Sequence, residues 1–316
     1  MMCKKWIVVL LVMVTLGACN MSQKTSKSAV RIGVLQYVEH NSLTAARKGF
    51  EEELAQQGYK NGEEVVLTVQ NAQGEQQQLQ TMAEQLVRDS DFILAIATPS
   101  AQTLAMVSEK VPVLFTAVTD PVSAELVTSL ENPSGLLSGT SDRVPLDKQV
   151  MLMKVLYPTI QKVGVLYHTS EQNSHIQVEE LTQLLNKEQI EVVVKGVTNS
   201  HDIQDTASRL MKEVEVIMVP TDNLIASTMT LLGDLSTKYK VPIIGGSIDM
   251  VKEGGLFTYG TDYEFLGRQT AKMAIRLLKG EKIETMAVEY PEVVNLYVNE
   301  EIAKVLGIDT SILLKN

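Results

Sequence analysis

One strand-and-helix series occurs twice along this chain, and that repetition limits the fold more than any other feature. Arg31-Ile32-Gly33-Val34-Leu35 matches Lys162-Val163-Gly164-Val165-Leu166, and each run leads into a polar loop and an amphipathic stretch. Residues 93–100 (ILAIATPS) resemble residues 216–223 (VIMVPTDN), in both cases an apolar run entering a polar turn that opens a helix. Residues 110–120 (KVPVLFTAVTD) resemble residues 240–249 (KVPIIGGSID) once one residue is dropped from the second copy. Three landmarks in the same order predict two similar lobes.

Within the first copy the pattern predicts strands over 30–37, 65–70, 92–97 and 113–118, with helices over 42–57, 75–89 and 100–108 between them. Short β-branched runs alternating with amphipathic helices belong to an α/β fold in which crossover helices link parallel strands. The first helix carries Leu43, Ala46, Phe50 and Leu54 at helical spacing and stops at Gly58. Past residue 250 the pattern gives a strand over 255–260, a long helix over 263–278 ending at Gly280, and a strand over 293–298. A second lobe already complete near residue 250 leaves this tail to be shared, which predicts three crossings near 141–145, 248–255 and 281–290. The first lobe is then residues 30–142 plus 254–282, and the second is 143–253 plus 283–316. Gly267, inside the long helix, costs roughly 1 kcal/mol relative to alanine unless a neighbour packs against the backbone.

The start of the chain is a separate object. Lys4 and Lys5 precede an apolar run that ends in Leu16-Gly17-Ala18-Cys19, a targeting segment over residues 1–18 rather than part of the fold. It falls short of the roughly 20 apolar residues of a permanent membrane helix. It looks like a bacterial lipoprotein signal, with Cys19 the lipidated first residue of the mature chain and an anchor to the outer face of the cell membrane; an ordinary secretory signal would leave Cys19 without a role. Residues 19–29, rich in Ser, Lys, Gln and Thr, read as a flexible tether. Cys3 and Cys19 are the only cysteines, so no internal disulfide, cysteine-based metal site or catalytic thiol is expected in the mature chain.

Of the 316 residues 45% are hydrophobic and 21% charged, which fits two modest globular domains. The net charge is −10, and loss of residues 1–18, with two lysines and no acid, takes it to −12. Nothing resembles the basic stripe of a nucleic-acid binder. The histidines His40, His168, His175 and His201 lack metal-ligand spacing, and Gly245-Gly246-Ser247 is too short for a nucleotide fingerprint. No G-x-S-x-G elbow occurs. Neither a metal, nor a cofactor, nor an enzyme is indicated.

In parallel α/β sheets, ligands bind beyond the carboxyl ends of the strands, where helix N-termini present free N–H groups. The first-lobe candidates are Tyr37, Asn41, Ser42, Thr98, Ser100, Thr119 and Asp120. Those of the second lobe are Asn173, Ser174, Thr221, Asp222, Asn223, Ser247 and Asp249. Plain N-caps, each contributing about 1 kcal/mol, account equally well for Ser42, Ser100, Asn173 or Ser174, and Asp222 or Asn223. A zwitterionic guest would place its carboxylate on Thr98 and Ser100, and its ammonium on Asp120, Asp222 or Asp249, with Asp120 first because an apolar strand fixes it. Such a charge-assisted bond contributes roughly 1.5–3 kcal/mol. Tyr37 and Tyr167, at matching places, would flank an apolar or aromatic side chain, or serve as core residues at strand ends. Loss of Trp6 with the signal leaves no tryptophan, which weakens a sugar-stacking alternative.

The lipobox at Leu16 to Cys19, the paired lobes and the run from Asp249 to Gly280, above all Tyr263, Leu266-Gly267-Arg268 and Leu278-Lys279-Gly280, resemble the substrate-binding lipoproteins of ABC transporters, in the family that includes tryptophan-binding proteins of streptococci. The resemblance covers residues 30–316. It implies two Rossmann-like lobes of the type I periplasmic-binding-protein kind closing about a hinge, a ligand held between them, and delivery by a monomer to a permease and its ATPase. The family's polar loop positions fall on Thr98, Ser100, Asp120, Asn173, Ser174, Asp222, Asn223 and Ser247. An amino acid, aromatic and tryptophan first, follows from the likeness alone. A nucleoside or other small polar solute is the alternative ligand. A lipid-anchored sensor or adaptor of the same fold is the alternative function, separated from import by whether permease and ATPase genes or a kinase gene lie alongside. A secreted α/β enzyme is a third reading, which a turnover assay would expose.

Overall fold

The computed structural model describes residues 29–315. The signal segment, Cys19 and the tether up to residue 28 lie outside the described residues. The first half of the chain runs β1 (Val30–Gln36), α1 (Asn41–Gln56), β2 (Val65–Asn71), α2 (Gln76–Asp89), β3 (Phe92–Ile96), α3 (Thr98–Val107), β4 (Val113–Val118) and β5 (Leu137–Ser141). These strands form a parallel sheet in the order β2-β1-β3-β4-β5. The chain continues through α4 (Leu146–Leu156), β6 (Lys162–His168), α5 (Gln172–Lys187), β7 (Glu191–Val197), α6 (Ile203–Leu210), β8 (Val216–Met218), α7 (Asn223–Ala226), α8 (Met229–Tyr239), β9 (Ile243–Ile244), α9 (Ile248–Lys252) and β10 (Phe257–Thr261). Last come α10 (Tyr263–Leu278), β11 (Val294–Val298) and α11 (Glu300–Leu306). The second sheet is ordered β11-β10-β9-β8-β6-β7, parallel except for the β10–β11 pair.

The repeat seen in the sequence is a repeat in space. Strands β2-β1-β3-β4 and β7-β6-β8-β9 stand in the same order, and the matched landmarks fall on β1 with β6, β3 with β8, and β4 with β9. Helices covering both faces demand central strands that are apolar throughout; β3 and β4 are accordingly buried at every position. The edge strands β2 and β7 are partly exposed along their length.

The shared tail departs from the sequence expectation. Residues 254–282 do not enter the first lobe as a block, because Phe257 pairs with Ile244 and β10 extends the second sheet. Only α10 returns to the first lobe, so the second crossing lies at Asp262 rather than at 248–255. Ile283, Met286 and Val288 still pack in the first core, and the chain crosses back only between Glu289 and β11.

Helix α10 is tied to the first lobe by backbone contact with α1. A Cβ on Gly267 would stand 1.9 Å from the Ala46 carbonyl oxygen, and one on Gly49 would stand 2.0 Å from that of Glu264. The glycine inside the helix is therefore where another backbone touches it, which offsets its propensity cost. At β4 the register with β5 shifts between Phe115 and Val118, and Ala117 takes a left-handed φ of 58° there. Such irregularities re-aim the residues that follow, here Val118 and Thr119 at the edge facing the second lobe.

Candidate functional site

The carboxyl ends of the two sheets face each other, and their loops are joined directly. The hydroxyls of Ser42 and Ser247 lie 3.0 Å apart, as do those of Thr119 and Thr221. His40 Nε2 lies 3.2 Å from Asn223 Oδ1, and Asn41 donates to Glu253. Gln172 bridges outward, accepting from Gln102 at 2.6 Å and donating to the Ser123 carbonyl at 2.6 Å. Two cavities flank these loops. The inner one, about 10 Å³ open to the centre of a water-sized sphere, is walled by Ser42, Ala117, Asp142, Asp222, Ser247 and Tyr263 among others. The outer one, about 890 Å³ on the same measure, takes in Tyr37, Pro99, Gln102 and Met106 from the first lobe and His168, Thr198 and His201 from the second.

On the second-lobe side the polar groups are tied mostly to one another. Asp222 caps α7 by accepting from the Ile225 N–H at 2.9 Å, while its other oxygen accepts from the His168 N–H at 2.6 Å and the Ser174 hydroxyl at 2.7 Å. Glu171, 1% exposed, accepts from the Asn223 and Leu224 N–H groups and from the side chains of Asn173 and Asn223. Burial works against its charge, yet donors from His168, Asn223 and Asn173 hold its pKa below the usual carboxylate range. Burial, reinforced by the neighbouring Glu171 charge, pushes Asp222 up to about 7. His168 is raised by Glu171, whose oxygen lies 3.4 Å from Nδ1. A close backbone approach fixes the adjacent loop: a Cβ on Gly246 would lie 2.5 Å from the Pro220 carbonyl, so only glycine lets Ser247 sit beside Thr221.

On the first-lobe side, buried polar atoms stand without partners. The hydroxyls of Thr98 and Ser100 make no hydrogen bond although both residues are buried, and they open α3 behind Ala97, whose φ is 80°. Burying an unpaired hydroxyl costs about 1–3 kcal/mol, and strained backbone of this kind gathers at binding sites. Asp142, in the first crossing, is 3% exposed. Its Oδ2 accepts from the Tyr263 hydroxyl at 2.5 Å, and its Oδ1 has no partner. Burial raises its pKa. Across the cleft, Asn173 Oδ1 is also unpartnered.

Of the residues singled out in the sequence, Ser42, Thr221, Asp222, Asn223 and Ser247 line the inner cavity and Tyr37 the outer one. Asn173 and Ser174 lie beneath, bonded to the Thr221 carbonyl and to Asp222. The cap role falls to Asp222 and Ser247; Ser42, Ser100, Asn173 and Ser174 sit inside their helices instead. Two of the acids named for a cationic partner point elsewhere. Asp120 accepts from Arg143 at 3.0 Å and from the Ser123 N–H at 3.0 Å, and Asp249 accepts from Lys252 at 3.1 Å. Sequence reasoning missed His40, Asp142, Glu171 and Tyr263. Tyr167 stacks edge-on against His175, 5.1 Å between ring centres, and does not line the outer cavity beside Tyr37.

The family model of ABC transporter substrate-binding proteins matches residues 31–315. This chain belongs to that family. A tyrosine-binding protein of Clostridioides difficile is 42% identical over 92% of this chain and 85% of its own length. A Streptococcus pneumoniae protein of the ABC type, solved in complex with L-Trp, superposes with a TM-score of 0.87 at 38% identity, over 91% of this chain and 98% of that one. The ligand-free, open structure of a Clostridium difficile substrate-binding protein with adhesive properties, 40% identical over 89% of this chain and 96% of that one, superposes at only 0.69. Although slightly less identical, the L-Trp complex fits better than the ligand-free, open structure. This family member has the type I periplasmic-binding-protein fold, with hydroxyls of its two lobes bonded directly to each other. Among the described residues no helix is long and apolar enough to cross a membrane, and no cluster of His, Cys, Asp and Glu fit to hold a metal occurs.

Proposed function

We propose that this family member is an extracytoplasmic receptor that captures an aromatic amino acid between its lobes and delivers it, unchanged, to a permease driven by an ATPase. The observation that carries the proposal is the pair of partnerless hydroxyls, Thr98 and Ser100, at the start of a ten-residue helix whose Pro99, Gln102 and Thr103 line the outer cavity, although Thr98 and Ser100 themselves line neither cavity. A carboxylate seated there would meet hydroxyl donors and the positive end of the helix. The outer cavity, at about 890 Å³, lies in the size range of small-molecule sites and leaves ample room for a ring. The relatives that bind tyrosine and L-Trp support an aromatic side chain, with tryptophan taken first. Cys19, lipidated, would hold the monomer at the membrane through the tether.

Calorimetry on protein starting at Cys19, titrated with L-tryptophan, L-tyrosine and a panel of nucleosides and sugars, tests this directly. Binding of one of the two amino acids at micromolar affinity or tighter, about −8 kcal/mol, is the expected result. Silence toward both, with heat from a nucleoside or sugar, would overturn the ligand class. Since Trp6 is the only tryptophan, such protein has no indole of its own, and any tryptophan emission reports bound ligand.

A further inference from the structure

The inner cavity holds a carboxylate with no cation to answer it. Asp142 is buried, one of its oxygens is unpartnered, and among the described residues no Lys or Arg lines the space in front of it. His40, also in that wall, is kept neutral by burial, its pKa lying below the ordinary histidine value. Asp222, the other acid there, already has both oxygens bonded to protein donors. A half-paired buried carboxylate is costly, and the cost is met by taking up a proton, the direction in which burial drives Asp142, or by a charged donor that keeps it ionised. The space, about 10 Å³, is that of one water-sized group, the size of a primary ammonium.

We infer that Asp142 is the acceptor for the ligand's α-ammonium group and that Tyr263 is its positioning residue. The inference rests on the amino-acid reading above and deepens it. The Tyr263 hydroxyl, donating to Oδ2 at 2.5 Å, holds the carboxylate in the cavity wall and leaves Oδ1 buried and unpartnered. Asp142 stands in the first crossing between lobes and Tyr263 immediately after the second. The ammonium is therefore seated at the hinge, beside a bond that already joins two of the three crossing segments. Asp120 and Asp249, engaged by Arg143 and Lys252, are relieved of the role that their strand-end positions suggested.

The test compares ligands as well as variants. Wild type, Asp142→Asn and Tyr263→Phe are titrated with L-tryptophan and with indole-3-propionate, which lacks only the amine; L-tyrosine and 3-(4-hydroxyphenyl)propionate serve equally if tyrosine binds better. Asp142→Asn is expected to weaken the amino acid about 10- to 150-fold, the range of a charge-assisted bond, while the des-amino analogue changes less than about threefold. Tyr263→Phe is expected to lower the preference for amino acid over analogue by a smaller factor, about three- to tenfold, without changing how the analogue itself binds. Equal loss for both ligands in Asp142→Asn, or no loss for either, overturns the ammonium assignment, and an unaltered preference in Tyr263→Phe overturns the positioning role even if Asp142→Asn fails to fold. A wild type that ignores both amino acids and binds another solute class overturns the proposed function itself, an outcome distinct from these.

Discussion

The two rims that meet across the cleft occupy matching places in a repeated unit, yet they differ in how far their polar groups are already satisfied. In the second lobe Glu171, Asp222, Asn223 and Ser174 answer one another and the backbone of α7, making a wired platform. In the first lobe Thr98, Ser100 and one oxygen of Asp142 are buried and unanswered. Duplication supplied one loop geometry, and the chemistry on it has divided. One copy ties most of its donors and acceptors to the protein, with Asn173 Oδ1 left over, while the other buries three without a protein partner.

Substitutions can break that contrast. The largest effect is expected on the wired side: Glu171→Ala strands two N–H groups and two side-chain amides in a buried place, and should cost about 3–5 kcal/mol of stability in denaturant unfolding. A loss under about 1 kcal/mol would mean that the platform does not depend on its acid. On the open side the double change Thr98→Val with Ser100→Ala should do the reverse. Stability should hold or rise by about 1 kcal/mol or more, because no bond is lost and two buried unpaired hydroxyls are removed, while amino-acid affinity falls about tenfold or more, roughly 1.4 kcal/mol. Unchanged affinity by calorimetry would remove these hydroxyls from the site.

A third contrast concerns pH. Asp222, raised to about 7 against an unfolded value of 3.8, keeps a proton that the unfolded chain releases. The stability due to that proton is complete below the unfolded value and drains away as pH climbs toward about 7. Glu171 acts in the opposite sense: its lowered pKa contributes stability above an unfolded value of 4.5 that is lost on acidification. His168, raised by Glu171, adds stability present below 6.5 and lost above. Asp222→Asn should therefore flatten only the decline between about pH 4 and 7, read as a shallower slope of melting temperature against pH; a slope as steep as wild type's would show that another group carries it.

What was legible in the sequence was whatever periodicity could carry. The apolar runs of β1, β3, β4 and β6 and the helix from Tyr263 to Leu278 all stand where the pattern put them. Strand β5, Leu-Ser-Gly-Thr-Ser, has one apolar residue in five and reads as a loop; its burial comes from neighbours far away in the chain. Asp142 follows that unreadable strand and was passed over with it. Glu171 failed for a different reason, since an acid before a helix looks solvated and only the fold of α7 onto it buries it. Strand β10 was credited to the wrong lobe because a strand's sequence does not say which sheet edge it will extend. For Gly267 the sequence posed the right question, and the answer needed the Ala46 carbonyl.

The route of the chain between lobes bears on how the protein is made. The first lobe closes only when α10, residues 263–278, lies down on α1, and the second sheet gains its last strand only with residues 294–298. A polypeptide halted near residue 255 therefore has neither half sealed and shows apolar surface on both. Maturation is in this sense all or nothing: a nascent receptor has no finished lobe to fall back on until its last elements arrive.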